Sequence, residues 1–302
     1  MFRSPNSTTI MVLNIVCCSI VVGDEPQQDA SLREMTARAS SVHLRTAGES
    51  DALHVNATPL FRYNDATFET SDGALWLWES DSRPLALLCL FHKTYRAEEW
   101  NYELTLLDGG PINVTGRAGW VWNPERVSRE WLALDGPEVH TREAVRLRQL
   151  RALAREFAAT EPDEDNFQLR LLPQPVHRYS RPQDGILDGA LFLFVYDTNP
   201  EVVLQLEAVS GDEPGWRAAF GRITGNRLAV SRRGEPVWQA EPVRHWNPKA
   251  TYYSHYGPDP LQPMESSPPK RSRHECEEVD SMTDTFDNWI LFAEPREPLD
   301  AD

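Results

Sequence analysis

The strongest constraint on this chain is that it resembles itself. Shifted by 116 residues, it overlays itself without a gap from Pro59 to Glu125, with 13 identities in 59–100 and 6 in 101–125, so 19 of 67 positions. Chance matching at ordinary composition gives about 4. Arg62-Tyr63 falls on Arg178-Tyr179, Asp72-Gly73-Ala74-Leu75 on Asp188-Gly189-Ala190-Leu191, Trp100 on Trp216, and Val121-Trp122 on Val237-Trp238. With one residue of slippage, Leu32–Val42 also resembles Leu147–Phe157. A period this long predicts duplicated domains rather than a solenoid of short repeats. The expected organisation is a signal segment over 1–23, repeat 1 over 30–145, repeat 2 over 146–260, and a tail over 261–302.

Each repeat is expected to open with a helix. Leu147, Leu150, Leu153, Ala154, Phe157 and Ala158 recur at helical spacing, and Leu32, Met35, Ala39 and Val42 do so more weakly. Strands follow. Phe167–Leu172 alternates and ends at Pro173, Ala190–Tyr196 is apolar on both faces, and Glu201–Glu207 alternates between apolar and polar. Turn residues at Asp197–Pro200 and Thr224–Asn226 make short connections, which imply antiparallel neighbours. The expected fold class is therefore α+β: two homologous repeats, each one helix packed on a curved antiparallel β-sheet, plus a Pro-rich and acidic C-terminal tail.

The copies differ on one strand face. Leu85, Leu87, Cys89 and Phe91 in the first stand where Glu201, Val203, Gln205 and Glu207 stand in the second. An exposed apolar strip is an interaction surface. The first copy's face is expected to be covered by the other copy, by the tail segment Trp289–Phe292, or by a partner.

Residues 1–23 have the form of a secretory signal: Arg3, then an apolar stretch from Ile10 to Val22 that is short for a membrane span, with Val21 and Gly23 fitting a cleavage site. The expected location is extracytoplasmic, periplasmic or secreted, with no membrane span after cleavage. Two further cysteines, Cys89 and Cys276, permit one bridge in an oxidising compartment. The net charge is −16, from 46 acidic and 30 basic residues, which argues against a nucleic-acid partner. Residues 274–302 contribute 10 acids and one base, Arg296, as expected of a partly disordered tail.

Leu171-Leu172-Pro173-Gln174-Pro175, Arg178-Tyr179, Asp188-Gly189-Ala190 and Pro236-Val237-Trp238-Gln239, with weaker echoes in the first copy, resemble an uncharacterised family of secreted, internally duplicated proteins of planctomycete bacteria. The resemblance covers roughly 30–260. That family has no established activity, so the resemblance implies no catalytic residue.

The repeated polar residues are Arg62 with Asp72 and Arg178 with Asp188, ten residues apart in each copy. They read either as a ligand-gripping Arg with a catalytic Asp, or as structural ion pairs; the structural reading is preferred because both copies keep the set while nearby polar residues diverge. The tryptophans read as core, since Phe192 and Phe194 replace Trp76 and Trp78 in the second copy. The candidate ligand-binding residues are His245, Trp246, Tyr252, Tyr253, His255 and Tyr256, a polar-aromatic run within a stretch, 242–269, that holds seven Pro. Such a loop binds sugar or peptide, or else straps a sheet edge. No HExxH, CxxC, G-x-S-x-G or dinucleotide motif occurs, so no metal, cofactor or nucleophile is expected. His274-Glu275-Cys276-Glu277-Glu278 is ligand-like but sits in the acidic tail. The resulting expectation is a non-catalytic binding or structural protein with a protein or carbohydrate partner. The alternative is an extracytoplasmic hydrolase acting on polysaccharide through carboxylates between the repeats.

Overall fold

Period-two alternation decides most of the architecture. In the computed structural model, Thr70–Ser80 and Arg83–Lys93 form β3 and β4, and Ile186–Tyr196 and Asn199–Val209 form β12 and β13. Their alternate residues go to different cores. Ala74, Trp76 and Trp78 face one way with Ala86, Leu88 and Leu90. Leu75 and Leu77 face the other way with Leu87, Cys89 and Phe91. Asp81 and Ser82 both have positive φ, 49° and 65°. That left-handed pair is the two-residue turn that matches strand twist and folds β3 directly onto β4. The structure describes residues 25–46, 53–66, 70–93, 100–115, 121–125, 130–162, 166–211, 213–243 and 247–255.

The other strands are β1 (His43–Thr46), β2 (Phe61–Asp65), β5 (Asn101–Leu106), β6 (Ile112–Thr115), β7 (Val121–Trp122), β8 (Leu132–Leu134), β9 (Phe157–Glu161), β10 (Phe167–Leu171), β11 (His177–Arg181), β14 (Gly215–Arg222), β15 (Leu228–Arg232), β16 (Glu235–Ala240) and β17 (Tyr252–His255). They build a five-stranded sheet in the order β17-β5-β4-β3-β2 and a three-stranded sheet β1-β6-β7. The largest sheet has nine strands, β16-β15-β9-β10-β12-β13-β14-β8, with β11 also on β12. Every pairing among the described strands is antiparallel. Helix α1 (Glu25–Ser41) touches β3 and β4, and α2 (Glu143–Ala154) touches β12 and β13.

The expected α+β class is corrected by these elements. The described residues form seventeen strands and two helices, a β-rich fold with a curled, half-barrel sheet rather than two repeats that each set one helix on its own sheet. Strands cross between halves of the chain: β8 edges the nine-stranded sheet against β14, and β17 edges the five-stranded sheet against β5. The physical cause is edge closure, because each sheet leaves a row of unpaired backbone groups that a strand from elsewhere satisfies. The second helix is also shorter than its apolar pattern predicts. Phe157 and Ala158 belong to β9 and pair with Arg232 and Ser231.

The curl follows from connectivity. In sheet order β15 stands five steps from β14, about 24 Å if the sheet were flat. The link from Arg222 to Leu228 spans at most about 20 Å even when extended. The sheet must therefore bend until its two sides approach. Arg222 holds the link compact by donating to the carbonyl oxygens of Thr224, Asn226 and Glu241.

A third apolar cluster lies between the two larger sheets. Tyr63, Leu75, Leu77, Leu87, Cys89 and Phe91 meet Leu191, Leu193, Val195, Val203 and Ile223. The apolar face of β4 is thus covered by residues of the second half. Trp289–Phe292 lies outside the described residues. The polar strip of β13 is buried as well, with Glu201, Gln205 and Glu207 each almost inaccessible.

Candidate functional site

The repeated Arg-Tyr and Asp-Gly residues meet across paired strands. Tyr63 lies directly opposite Gly73, and Tyr179 opposite Gly189. Each tyrosine ring covers its glycine so closely that a Cβ there would lie 2.5 Å from Tyr63 Cζ or 2.3 Å from Tyr179 Cζ. On the diagonal, Arg62 grips Asp72 bidentately at 2.9 and 2.6 Å, and Arg178 grips Asp188 at 2.9 and 2.5 Å. Arg146 adds a third contact to Asp188 at 2.9 Å, and Glu143 takes the other edge of Arg178 at 2.9 Å. Asp188 is buried, and its hydrogen bond raises the Arg178 pKa above the ordinary value. A pocket of about 300 Å³ opens over this cluster, lined by Arg146, Arg178, Ser180 and Asp188. Its carboxylate already has three arginine contacts.

Of the six aromatic-loop residues, His245, Trp246 and Tyr256 lie outside the described residues. Tyr252, Tyr253 and His255 form β17, paired with Thr105, Leu104 and Tyr102 on the edge of the five-stranded sheet. Tyr252 is buried, and its hydroxyl donates to Glu103 Oε1 at 2.9 Å. Tyr253 and His255 are half-buried. This stretch therefore closes a sheet edge.

Tyr252 also lines a cleft of about 530 Å³ with residues that sequence reading did not assemble. Phe220, Arg222 and Trp238 come from β14 and β16, Thr105 from β5, and Glu130 and Glu241 from connecting segments. The Phe220 and Trp238 rings stack with centroids 5.8 Å apart. The Arg222 guanidinium lies 5.3 Å from the Tyr252 ring centroid, and burial lowers its pKa. Thr105 Oγ1 donates to the Arg222 carbonyl at 2.7 Å, tying the two sheets at the cleft floor. Glu103 and Glu161 both act on Glu201, and all three are buried. No sequence signal marked this group, because the alternation of Glu201, Gln205 and Glu207 with apolar residues is that of a strand with one solvated face.

Trp76, Trp78 and Trp122 are fully buried and belong to the first core, which makes them packing groups. Trp122 donates to the Ala250 carbonyl at 2.9 Å and Trp216 to the Pro137 carbonyl at 2.7 Å. Cys89 carries a free, buried thiol; Cys276 lies outside the described residues, as does His274–Glu278. Among the described residues no group of three His, Cys, Asp or Glu is placed to hold a metal, and no helix is long and apolar enough to cross a membrane. Comparison with known proteins returned no matching family model, curated protein or solved structure, and identifies no planctomycete family.

Proposed function

We propose that this chain is a non-catalytic binding protein that works outside the cytoplasm and holds a carbohydrate in the cleft between its two larger sheets. The cleft itself carries the reading. Its volume of about 530 Å³ is in the range of small-ligand sites, and the half-buried rings of Phe220 and Trp238 offer apolar surface beside Arg222 and Glu241. Aromatic faces next to hydrogen-bonding groups suit a sugar ring, which is apolar on its faces and polar at its edge. The signal-like segment at residues 1–23 supports the extracytoplasmic location.

The hydrolase alternative needs a free pair of carboxylates. Asp72 and Asp188 are each engaged by arginine on both oxygens, Glu103, Glu161 and Glu201 are buried, and of the two carboxylates that line the cleft, Glu130 and Glu241, the second is paired with Arg227 at 3.1 Å. The binding reading is tested by titration calorimetry of the full chain against a panel of soluble oligosaccharides and polysaccharides. Trp238→Ala is expected to weaken binding about tenfold, the loss of one aromatic contact. Absence of binding across the panel overturns the carbohydrate reading.

A further inference from the structure

Three carboxyl groups meet where the curl of the nine-stranded sheet closes against the five-stranded sheet. Glu161 ends β9, Glu201 stands near the start of β13, and Glu103 lies in β5; they are 3%, 1% and 8% exposed. β9 and β13 are not neighbours, since β10 and β12 lie between them. The curl brings their ends to one link: the Ile223 N–H donates to the Glu201 carbonyl at 2.8 Å, Asn226 holds the Glu161 carboxyl three residues on, and the two carboxyl groups act on each other across the mouth. Two buried carboxylates side by side repel each other and are acceptors only, so one proton between them removes the repulsion and supplies the donor both lack.

The neutral partners fit one protonated acid. Asn199 Nδ2 donates to Glu201 Oε1 at 2.5 Å, while Glu201 Oε2 is buried with no donor aimed at it. Asn226 Nδ2 lies 3.3 and 3.2 Å from the two Glu161 oxygens. Asn226 and Thr224 belong to the link whose length forces the curl, so the acid pair is fastened to the segment that closes the sheet.

We propose that Glu161 and Glu201 share a single proton, and that this proton is a latch that closes the mouth of the curled sheet and releases it under alkaline conditions. The surrounding groups favour retention of the proton. Burial first, then the Glu161 and Glu103 charges, push the Glu201 carboxyl well above the ordinary range. From β2 and β4, Tyr63 and Cys89 face both Glu103 and Glu201, and burial followed by these neighbours raises the Tyr63 hydroxyl and the Cys89 thiol. Arg222 on β14 and Tyr252 on β17 both face Glu103.

The sign of the pH dependence follows. An acid with a raised folded-state pKa contributes its stability fully below the unfolded value, about 4.3, and loses it as pH rises to the folded value. Thermal unfolding of the full chain and of Glu201→Gln, from pH 5 to 9, tests the latch. Wild-type Tm is expected to fall relative to Glu201→Gln by about 3–5 °C per pH unit until the pair ionises. Glu161→Gln should flatten the profile in the same way. Infrared spectra of the folded wild type at neutral pH should show a protonated-carboxyl stretch that Glu201→Gln removes. Parallel pH profiles for wild type and variant overturn the proposal. So does absence of the protonated-carboxyl band from the wild type, a result that stands even if the variants fail to fold.

Discussion

Two three-stranded meanders, β2–β4 and β11–β13, differ chiefly in what lies beneath their tyrosines. Each element of the first has a counterpart 116 residues later, with matching register shifts after Tyr63 and Tyr179. Tyr over Gly and Arg on Asp occur in both. The hydroxyls then part company. Tyr63 meets Cys89 Sγ at 3.2 Å. Tyr179 donates to Glu207 Oε1 at 2.6 Å and accepts from Gln205 Nε2 at 2.6 Å, while Glu207 is held by Arg217 at 2.5 Å. The same backbone accepts an apolar or an ionic underside, the ionic one made tolerable by the Tyr179 and Arg217 bonds to the Glu207 carboxylate. What the two meanders cannot vary without moving the chain is the ring-on-glycine contact.

The largest expected difference comes from Arg217. Its removal leaves the Glu207 carboxylate buried without its ion-pair partner, and breaking such a pair costs about 3–5 kcal/mol. Arg217→Ala should lower the stability measured by urea unfolding near the low end of that range, since the arginine is 29% exposed. Asn101→Ala, at the equivalent position on β5 beside the first meander, breaks no ion pair and should cost clearly less. Equal losses would show that the ionic underside is not what distinguishes the second meander.

The glycines give the next effect. Gly73→Ala and Gly189→Ala each force a Cβ into a tyrosine ring, an overpacking that costs about 1–3 kcal/mol. Gly189→Ala should be the worse of the two. Tyr179 cannot retreat without breaking its bonds to Glu207 and Gln205, whereas Tyr63 gives up only a thiol contact. Calorimetric unfolding of both variants checks the order.

The smallest effect concerns a tie between the sheets. His177 Nε2 lies 2.9 Å from Glu79 Oε1, and Asn56 Nδ2 donates to Glu79 Oε2 at 2.9 Å. The His177 hydrogen bond lowers the Glu79 carboxyl below its ordinary 4.5. A depressed acid stabilises the fold above its unfolded pKa and loses that contribution as pH falls through the folded value. Glu79→Gln should flatten the acid side of the stability profile below about pH 4.5, by well under 1 kcal/mol because the pair is partly solvated.

Much of the strand content was legible because alternation reports which residues share a face. Ala190–Tyr196, apolar throughout, is indeed a central strand with neighbours on both sides. The pairing of Arg62 with Asp72 and of Arg178 with Asp188 was legible too, since the same residue types recur at the same spacing. The cleft was not. Phe220, Arg222, Trp238 and Tyr252 are scattered over two separate sheets, and no local pattern says that β14 will stand beside β5. The fate of β8 and β17 was equally hidden. Each is short, and its place depends on which edge needs a partner.

The sequence by itself determined the repeated side-chain code: which strand residues share a face by parity, and which arginine recurs with which aspartate. These are short-range rules set by the pleat and by hydrogen-bond geometry, so they can be read from spacing alone. Only the tertiary structure decided that the polar strip of β13 would be buried, that strands would cross between the halves, and that Glu161 and Glu201 would face each other. Those outcomes depend on the bend imposed by the Arg222–Leu228 link and on which free edges lie within reach. Both are properties of the whole chain in three dimensions, and no residue window contains them.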